Sequence, residues 1–227
     1  MLFLLQTPAD SLATASETVA TKSFFQILLA GGWTMIPLLI LLVLAIFIYI
    51  ERYLTISKAD FDSKDLMKNV RKHVLAGNIE AAKGLCESTD NAFSRMIHKG
   101  ISRLGSASLK DIEGSIENIG KLEVFRLERR LSILATVAGA APMIGFFGTV
   151  LGMISAFNAI VIKEGNANPV DLAGGISEAM VTTASGLVVG ILAFLAYNTL
   201  VAMVNKVVFK LELTSTDFID LLQEPAS

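Results

Sequence analysis

The sequence has little of the material from which metal sites and nucleic-acid surfaces are made. Its 227 residues include one cysteine, Cys86, and two histidines, His73 and His98. A single cysteine excludes an intrachain disulfide, and two histidines in polar surroundings do not have the spacing of a metal site. Lysine and arginine number 19 against 21 acidic residues, giving a net charge of −2. This balance argues against nucleic acid as a partner.

Motifs of enzymes and of protein export are also missing. The stretch from Gly145 to Thr149 lacks the lysine and the spacing of a phosphate-binding loop. There is no nucleophile elbow and no pair of carboxylates at a spacing typical of glycosidases. Met1–Gln6 is apolar but short, without a basic region before it or a small-residue site after it, so no cleavable signal peptide is predicted. We therefore expect no enzyme activity, no cofactor and no metal.

Charge is absent from three long stretches of a chain that is 53% apolar. These stretches are Leu28–Ile50, Leu131–Ile162 and the 27 residues that follow Glu178. Each is longer than the roughly 20 apolar residues that a helix needs to cross a bilayer. The predicted fold is an all-α integral membrane protein with three transmembrane helices. Two of them are expected to be long and to extend into a cytoplasmic helical region.

The basic residues predict the orientation in the membrane. Residues 51–130 hold 15 of the 19 lysines and arginines, whereas the connection between the second and third spans has only Lys163. Basic residues favour the cytoplasmic side, so we expect the N-terminus outside and the C-terminus inside. In chain order we predict a periplasmic tail or interfacial helix (1–27), the first span (28–50), a cytoplasmic helical region (51–130), the second span (131–162), a periplasmic loop (163–171), the third span (172–205) and a cytoplasmic helix or tail (206–227).

Helical periodicity extends beyond the apolar stretches. In the cytoplasmic region, apolar residues recur every three or four positions, and Gly77 and Gly105 mark the ends of two such stripes. From Leu109 the period continues into the second span and predicts one long helix over about residues 109–161. The third span is expected to continue as a helix that ends near Pro225.

Both long helices carry rows of small residues. The rows are Ala141, Gly145, Gly148, Gly152 and Ala156 in the second span, and Gly175, Ala179, Thr182, Gly186, Gly190 and Ala193 in the third. Small residues at these spacings let membrane helices approach closely. Pro142 is expected to kink the second span. Three spans are few for enclosing a lumen, so we predict an oligomer.

Glu178 is the main candidate for a functional residue, because it opens a span that is otherwise free of charge. Ionisable side chains in membrane helices usually face a bundle interior or a water-filled cavity. At 100° per residue, Thr182 and Ser185 share the helix face of Glu178, and Thr183 lies beside it. We prefer a proton relay over a carboxylate that interacts with the positive end of its own helix, since Glu178 lies one or two turns inside. Thr149 and Thr183 could extend a polar path, although threonines in membrane helices often bond to their own backbone.

Several runs of sequence carry a family resemblance. They are residues 77–86, 127–131 with 134–136, 141–154, 175–187 and 196–198. In these runs the chain resembles the MotA/TolQ/ExbB proton channel family. Three spans with a cytoplasmic loop after the first are similar to ExbB and TolQ rather than to MotA.

The resemblance implies a homopentamer in the bacterial inner membrane, whose second and third spans line a pore. The pore would hold the single spans of two ExbD- or TolR-like subunits. Proton flow would energise a TonB- or TolA-like protein for outer-membrane transport or envelope maintenance. By the resemblance, Glu178 matches the family's pore glutamate, Thr149 and Thr183 its pore threonines, and Pro142 its proline. The family usually has alanine at Thr182, so the motif favours Thr183 as the pore-facing threonine while helix geometry favours Thr182.

Two other functions remain to be weighed. One is a non-conducting scaffold whose basic loop recruits cytoplasmic proteins and whose Glu178 only caps a helix. The other is a secondary transporter, which the absence of an inverted repeat and the small number of spans disfavour. The polar residues are too sparse to coordinate Na⁺ unaided, so H⁺ is the preferred coupling ion. The choices between ExbB and TolQ and between rotation and piston motion stay open.

Overall fold

A computed structural model describes residues 31–60, 63–89, 91–165 and 168–223, so the predicted tail over residues 1–27 lies outside the described part. All regular secondary structure in the described residues is helical. The helices are α1 (Met35–Ala59), α2 (Ser63–Leu75), α3 (Ile79–Ser88), α4 (Ala92–Ile101), α5 (Leu109–Glu128), α6 (Leu131–Ile162) and α7 (Pro169–Gln223).

Among the described residues, three helical stretches are long and apolar enough to cross a membrane. They are α1, the stretch Leu109–Ile162 formed by α5 and α6, and α7 from Leu172 onward. The predicted all-α fold with three spans, two of them long, is therefore confirmed. Helix α1 runs past the charged pair at its predicted membrane boundary and ends only at Ala59. The membrane boundaries themselves and the sidedness stay predictions.

The long helix predicted over residues 109–161 has the expected extent but is interrupted once. Helix α5 ends at Glu128, and α6 begins at Leu131. Between them Arg130 has a φ of 69°, in the left-handed region that costs a residue with a side chain roughly 1–2 kcal/mol. The guanidinium of Arg130 is paired with the carboxylate of Glu51. The break therefore coincides with an ion pair to the end of the first apolar stretch.

The chain forms two compact units, each assembled from separate stretches of sequence. Among the described residues, the smaller unit takes those up to Leu38 and those between Met143 and Gly186, and the larger unit takes the rest. The smaller unit holds the beginning of α1, the later part of α6 and the first part of α7. The larger unit holds the remainder of these helices together with α2–α5.

In the smaller unit, α6 and α7 meet along their rows of small residues. A Cβ atom added to Gly148 would lie 2.5 Å from Oγ1 of Thr182, and one added to Gly152 would lie 2.7 Å from the carbonyl oxygen of Gly175. Such distances leave no room for a side chain at either glycine. In the smaller unit, the two rows of small residues therefore face each other at these glycines.

In the larger unit, the short helices surround an apolar core. Its buried members are Leu66, Val70, Ala82, Cys86, Phe93, Met96, Ile97, Ile101, Ile112, Ile116, Phe218 and Leu221. The side chains of Asn78, Asn91 and Ser108 accept hydrogen bonds from backbone N–H groups in the first turns of α3, α4 and α5. The helical stripes predicted for this region thus form one packed core, which includes the last turns of α7.

Candidate functional site

The side chain of Glu178 lies half-buried in the smaller unit, nine residues after the start of α7. Its carboxyl group is placed against Gly32 in the turn before α1. A Cβ atom added to Gly32 would overlap Oε1 of Glu178 and lie 2.9 Å from its Cδ. Gly32 also has a φ of 64°, so both the backbone conformation and the space at this position require glycine.

The turn that faces Glu178 is the N-terminal end of a helix. Thr34 donates its hydroxyl to the carbonyl of Gly31 at 3.0 Å, and the N–H of Met35 bonds to the carbonyl of Gly32 at 3.3 Å. The first N–H groups of a helix carry the positive end of its dipole, which favours a nearby carboxylate. The carboxyl group of Glu178, which projects from α7, therefore lies next to the N-terminal end of α1. The helix end near Glu178 is thus that of α1, whereas its position in the sequence suggested only the end of its own helix.

The candidate threonines occupy different environments within the smaller unit. Thr183 is half-buried, and its hydroxyl donates across to the carbonyl oxygen of Gly145 on α6 at 3.1 Å. Thr182 is fully buried, and its hydroxyl donates to Ala179 in its own helix at 2.8 Å. The half-buried Thr149 donates to Phe146, also in its own helix, at 2.6 Å. Of the two neighbouring threonines, Thr183 is the one whose hydroxyl reaches from one helix to the other.

The remaining predicted packing residues lie where the two long helices approach each other. In the smaller unit, a Cβ atom on Gly145 would lie 3.1 Å from Cα of Gly186. In the larger unit, a Cβ atom on Gly190 would lie 2.6 Å from Cγ of Pro142, so Gly190 makes room for the proline ring. Proline has no N–H to donate to the carbonyl of Ala138. The helix nevertheless continues through Pro142, and the kink stays a prediction.

Charged clusters at the ends of the apolar stretches were not found by sequence reasoning. Lys206 and Lys210 follow the apolar stretch of α7. Both donate hydrogen bonds to the carboxylate of Asp60, at 2.6 and 2.5 Å. These two hydrogen bonds hold the pKa of Asp60 below its ordinary value of 3.8. In a second cluster, Glu51 accepts from Arg52 at 2.8 Å and from Arg130. The partners are separated by up to 150 residues of sequence, so no local pattern could reveal them.

Side chains that bind metals do not cluster in the described ranges of the chain. Nε2 of His98 lies 3.2 Å from the Glu87 carboxylate, an isolated surface contact. Cys86 is buried, and this burial, with the neighbouring charge of Glu87, raises the pKa of its thiol to about 11. A thiol with that pKa stays protonated and unreactive near neutral pH.

The chain is similar to one family of known membrane proteins. Residues 88–213 match the sequence profile described as the MotA/TolQ/ExbB proton channel family. The chain is 30% identical over 177 residues, covering 77% of this chain and 69% of the relative, to biopolymer transport protein ExbB-like 1 of Synechocystis. It is 45% identical over 86 residues, 37% of either chain, to the Tol-Pal system protein TolQ of Haemophilus influenzae. It is 41% identical over 80 residues, 35% of this chain and 53% of the relative, to biopolymer transport protein ExbB of Aquifex aeolicus.

Proposed function

The chain belongs to the MotA/TolQ/ExbB proton channel family, and we propose that it is the ring subunit of a proton-driven motor in a bacterial inner membrane. It is a multi-pass membrane protein with an energising function of the ExbB/TolQ type. One observation carries the finer proposal. The side chain of Glu178 is half-buried, and its carboxyl group lies against the turn before α1 instead of projecting freely.

In this proposal Glu178 takes up and releases a proton as the motor turns over. Thr183 and Thr149 flank the path, and an aspartate in the span of a partner subunit supplies the other half. The hydroxyl of Thr183 is held across the two helices, so it presents its oxygen in a fixed position. Each proton that crosses the full membrane potential releases about 2.3 kcal/mol per 100 mV. A few protons per step are therefore enough to move a packed helix.

Of the two neighbouring threonines, Thr183 is the one that we propose to line the proton path. Thr182 has no exposed surface within the chain, and it fills the space above Gly148. A residue enclosed in the contact between α6 and α7 is not accessible from a lumen. The family motif and the packing therefore favour the same residue, and Thr182 is assigned to helix packing.

The proposed assembly is a homopentamer around the single spans of two ExbD- or TolR-like subunits. Relatives named ExbB and TolQ both match this chain, so a TonB-like and a TolA-like receiver of the energy are equally supported. The proposed coupling ion is H⁺. The proposed topology has the N-terminus in the periplasm and residues 51–130 in the cytoplasm.

The test is a functional comparison in cells that express the chain with its single-span partner. Glu178→Gln removes the titrating group with little change in shape, and Asp217→Asn removes an exposed carboxylate from the same helix as a control. We expect Glu178→Gln to abolish energy-dependent uptake or envelope integrity while native mass spectrometry finds an intact complex. Full function in Glu178→Gln and in Glu178→Ala would refute the proposal.

A scaffold is the second candidate, and the position of Glu178 at the N-terminal end of α1 favours it. There the carboxylate would only stabilise a helix end, which glutamine can also do by accepting hydrogen bonds. The scaffold predicts normal function in Glu178→Gln, reduced stability in Glu178→Ala, and no small membrane protein in the purified complex. The same set of variants therefore separates the two functions.

A further inference from the structure

An open groove in the larger unit lies between α5 and the last third of α7. The volume of this groove is about 670 Å³. Its apolar lining consists of Met96, Ile116, Val124, Val208, Leu211 and Ile219. Phe125 also lines the groove and has 70% of its surface exposed. An apolar groove with an exposed aromatic residue is a typical place for a helix or an extended segment to dock.

The charge of this groove is unusual for its position in the sequence. Its lining includes four carboxylates, those of Glu113, Glu117, Glu128 and Glu212, and one lysine. That lysine, Lys121, is paired with Glu117 at 2.6 Å. The lining thus has a net charge of −3, although the region between the first two spans holds most of the basic residues of the chain. Apolar lining with acidic edges suits a segment that is apolar on one side and basic on the other.

The positive-inside rule predicts where a segment with basic residues beside an apolar stretch occurs. A single-span membrane protein carries lysine and arginine beside its span on the cytoplasmic side. The groove is formed by the stretches that directly precede the second span and directly follow the third in sequence. In the proposed function those two spans surround the single span of the partner. The basic flank of that span would then enter the cytoplasm next to the helices that form the groove.

We infer that the groove docks the basic cytoplasmic segment that flanks the membrane span of the single-span partner subunit. This inference rests on the proposed function and adds to it a second contact, outside the membrane. The apolar side of the segment would cover Phe125 and the groove floor, and its basic side chains would pair with Glu113, Glu128 and Glu212. Such a contact would hold the partner while its span moves within the ring.

The test is site-specific photocrosslinking in the complete membrane complex. The photoreactive residue p-benzoylphenylalanine replaces Phe125, an aromatic-for-aromatic exchange at an exposed position. The crosslinked peptide is identified by mass spectrometry. We expect an adduct with the partner, within about ten residues of its span on the cytoplasmic side and next to lysine or arginine. An adduct only with lipid or with a second copy of this chain would overturn the inference.

Charge removal supplies a second measurement. The triple variant Glu113→Gln, Glu128→Gln, Glu212→Gln brings the net charge of the groove lining to zero. The matched control, Glu87→Gln, Asp217→Asn, Asp220→Asn, removes three exposed carboxylates outside the groove. We expect the adduct yield at Phe125 to fall about tenfold in the groove variant, the effect of losing three exposed ion pairs, and to stay unchanged in the control. Equal yields in the two variants would contradict docking by charge.

Native mass spectrometry separates failure of this inference from failure of the proposed function. A complex that contains the single-span partner but gives no partner adduct from Phe125 overturns the groove assignment alone. A complex without any single-span partner overturns both. A partner adduct that maps to the basic flank and depends on the groove carboxylates supports the inference.

Discussion

At the scale of single residues, the contact between Gly32 and Glu178 is the most informative. Nothing in the sequence around either residue indicates that they meet, because Gly32 lies in the turn before α1 and Glu178 lies 146 residues later, in α7. The sequence does single out Glu178, because the 27 residues that follow it carry no charge. It gives no reason to choose Gly32, whose role depends on a backbone turn and on the carboxyl group placed against it.

Gly32→Ala is expected to displace the Glu178 carboxyl group and to impair the proposed motor function. Its Cβ atom would overlap Oε1 of Glu178, and the φ of 64° adds a backbone cost of roughly 1–2 kcal/mol. Gly77→Ala is the matched control, because Gly77 has a φ of 71° but no atom within 4 Å of an added Cβ. Thermal unfolding and energy-dependent uptake are measured for both. The contact is unimportant if the two variants lose stability and function equally.

Gly148→Ala tests the close contact of the two long helices. The new Cβ atom would lie 2.5 Å from Oγ1 and 2.7 Å from Cβ of the buried Thr182, so the helices must separate. We expect a loss of roughly 1–3 kcal/mol, the usual cost of overpacking. Gly139→Ala on the same helix meets no atom within 4 Å and should be neutral or slightly stabilising. Thermal unfolding of the detergent-solubilised protein measures both, and equal melting temperatures would argue against the tight contact.

At the scale of helices, periodicity predicted most elements and missed one break. The apolar period runs through Leu127, Leu131 and Leu134, all buried, so the sequence indicates a continuous helix. Neither Arg129 nor Arg130 is a helix breaker. The interruption accompanies the pairing of Arg130 with Glu51, a contact between distant parts of the chain that no local pattern contains.

Arg130→Gly and Arg130→Ala together test the left-handed residue at this break. Both variants lose the ion pair with Glu51, but only alanine retains a side chain at a φ of 69°. Since glycine adopts this conformation without steric cost, Arg130→Gly should be about 1 kcal/mol more stable than Arg130→Ala. Chemical denaturation monitored by circular dichroism measures the difference. A more stable alanine variant would mean that the helix is continuous here.

The cluster of Asp60 with Lys206 and Lys210 predicts a dependence of stability on pH. Hydrogen bonds from the lysines lower the folded-state pKa of Asp60 below the ordinary value of 3.8. The contribution of these ion pairs to the free energy of unfolding is therefore complete above about pH 4. It is lost as the pH falls through the lowered folded-state pKa of Asp60. Because Lys206 is largely exposed, we expect these ion pairs to stabilise the folded protein by at most about 1 kcal/mol.

Asp60→Asn is the variant that isolates this contribution. It should be less stable than the parent at neutral pH, and the difference should vanish as the pH is lowered below 3.8. Asp65→Asn, at an exposed position on α2, is the control. Unfolding is followed at a series of pH values in the same detergent. A difference between Asp60→Asn and the parent that does not change with pH would contradict the ion-pair account.

At the scale of the whole molecule, the sequence predicted the number of spans and the family. Three charge-free stretches and the runs around Pro142 and Glu178 were sufficient for both, and the helices and the comparisons confirm them. The sequence could not predict which side chains the fold holds at each end of the apolar stretches. These depend on pairs such as Asp60 with Lys210, which only the folded chain brings together. The assembly stays a proposal, since it involves further chains.

Proton flux through the purified complex is the most direct measurement of the central claim. The chain and its single-span partner are reconstituted into vesicles that contain a pH-sensitive dye, and a membrane potential is imposed with potassium and valinomycin. We predict proton flux in the parent and in Asp217→Asn, and a loss of at least about tenfold in Glu178→Gln, because glutamine does not titrate. Undiminished proton flux in Glu178→Gln would contradict the account.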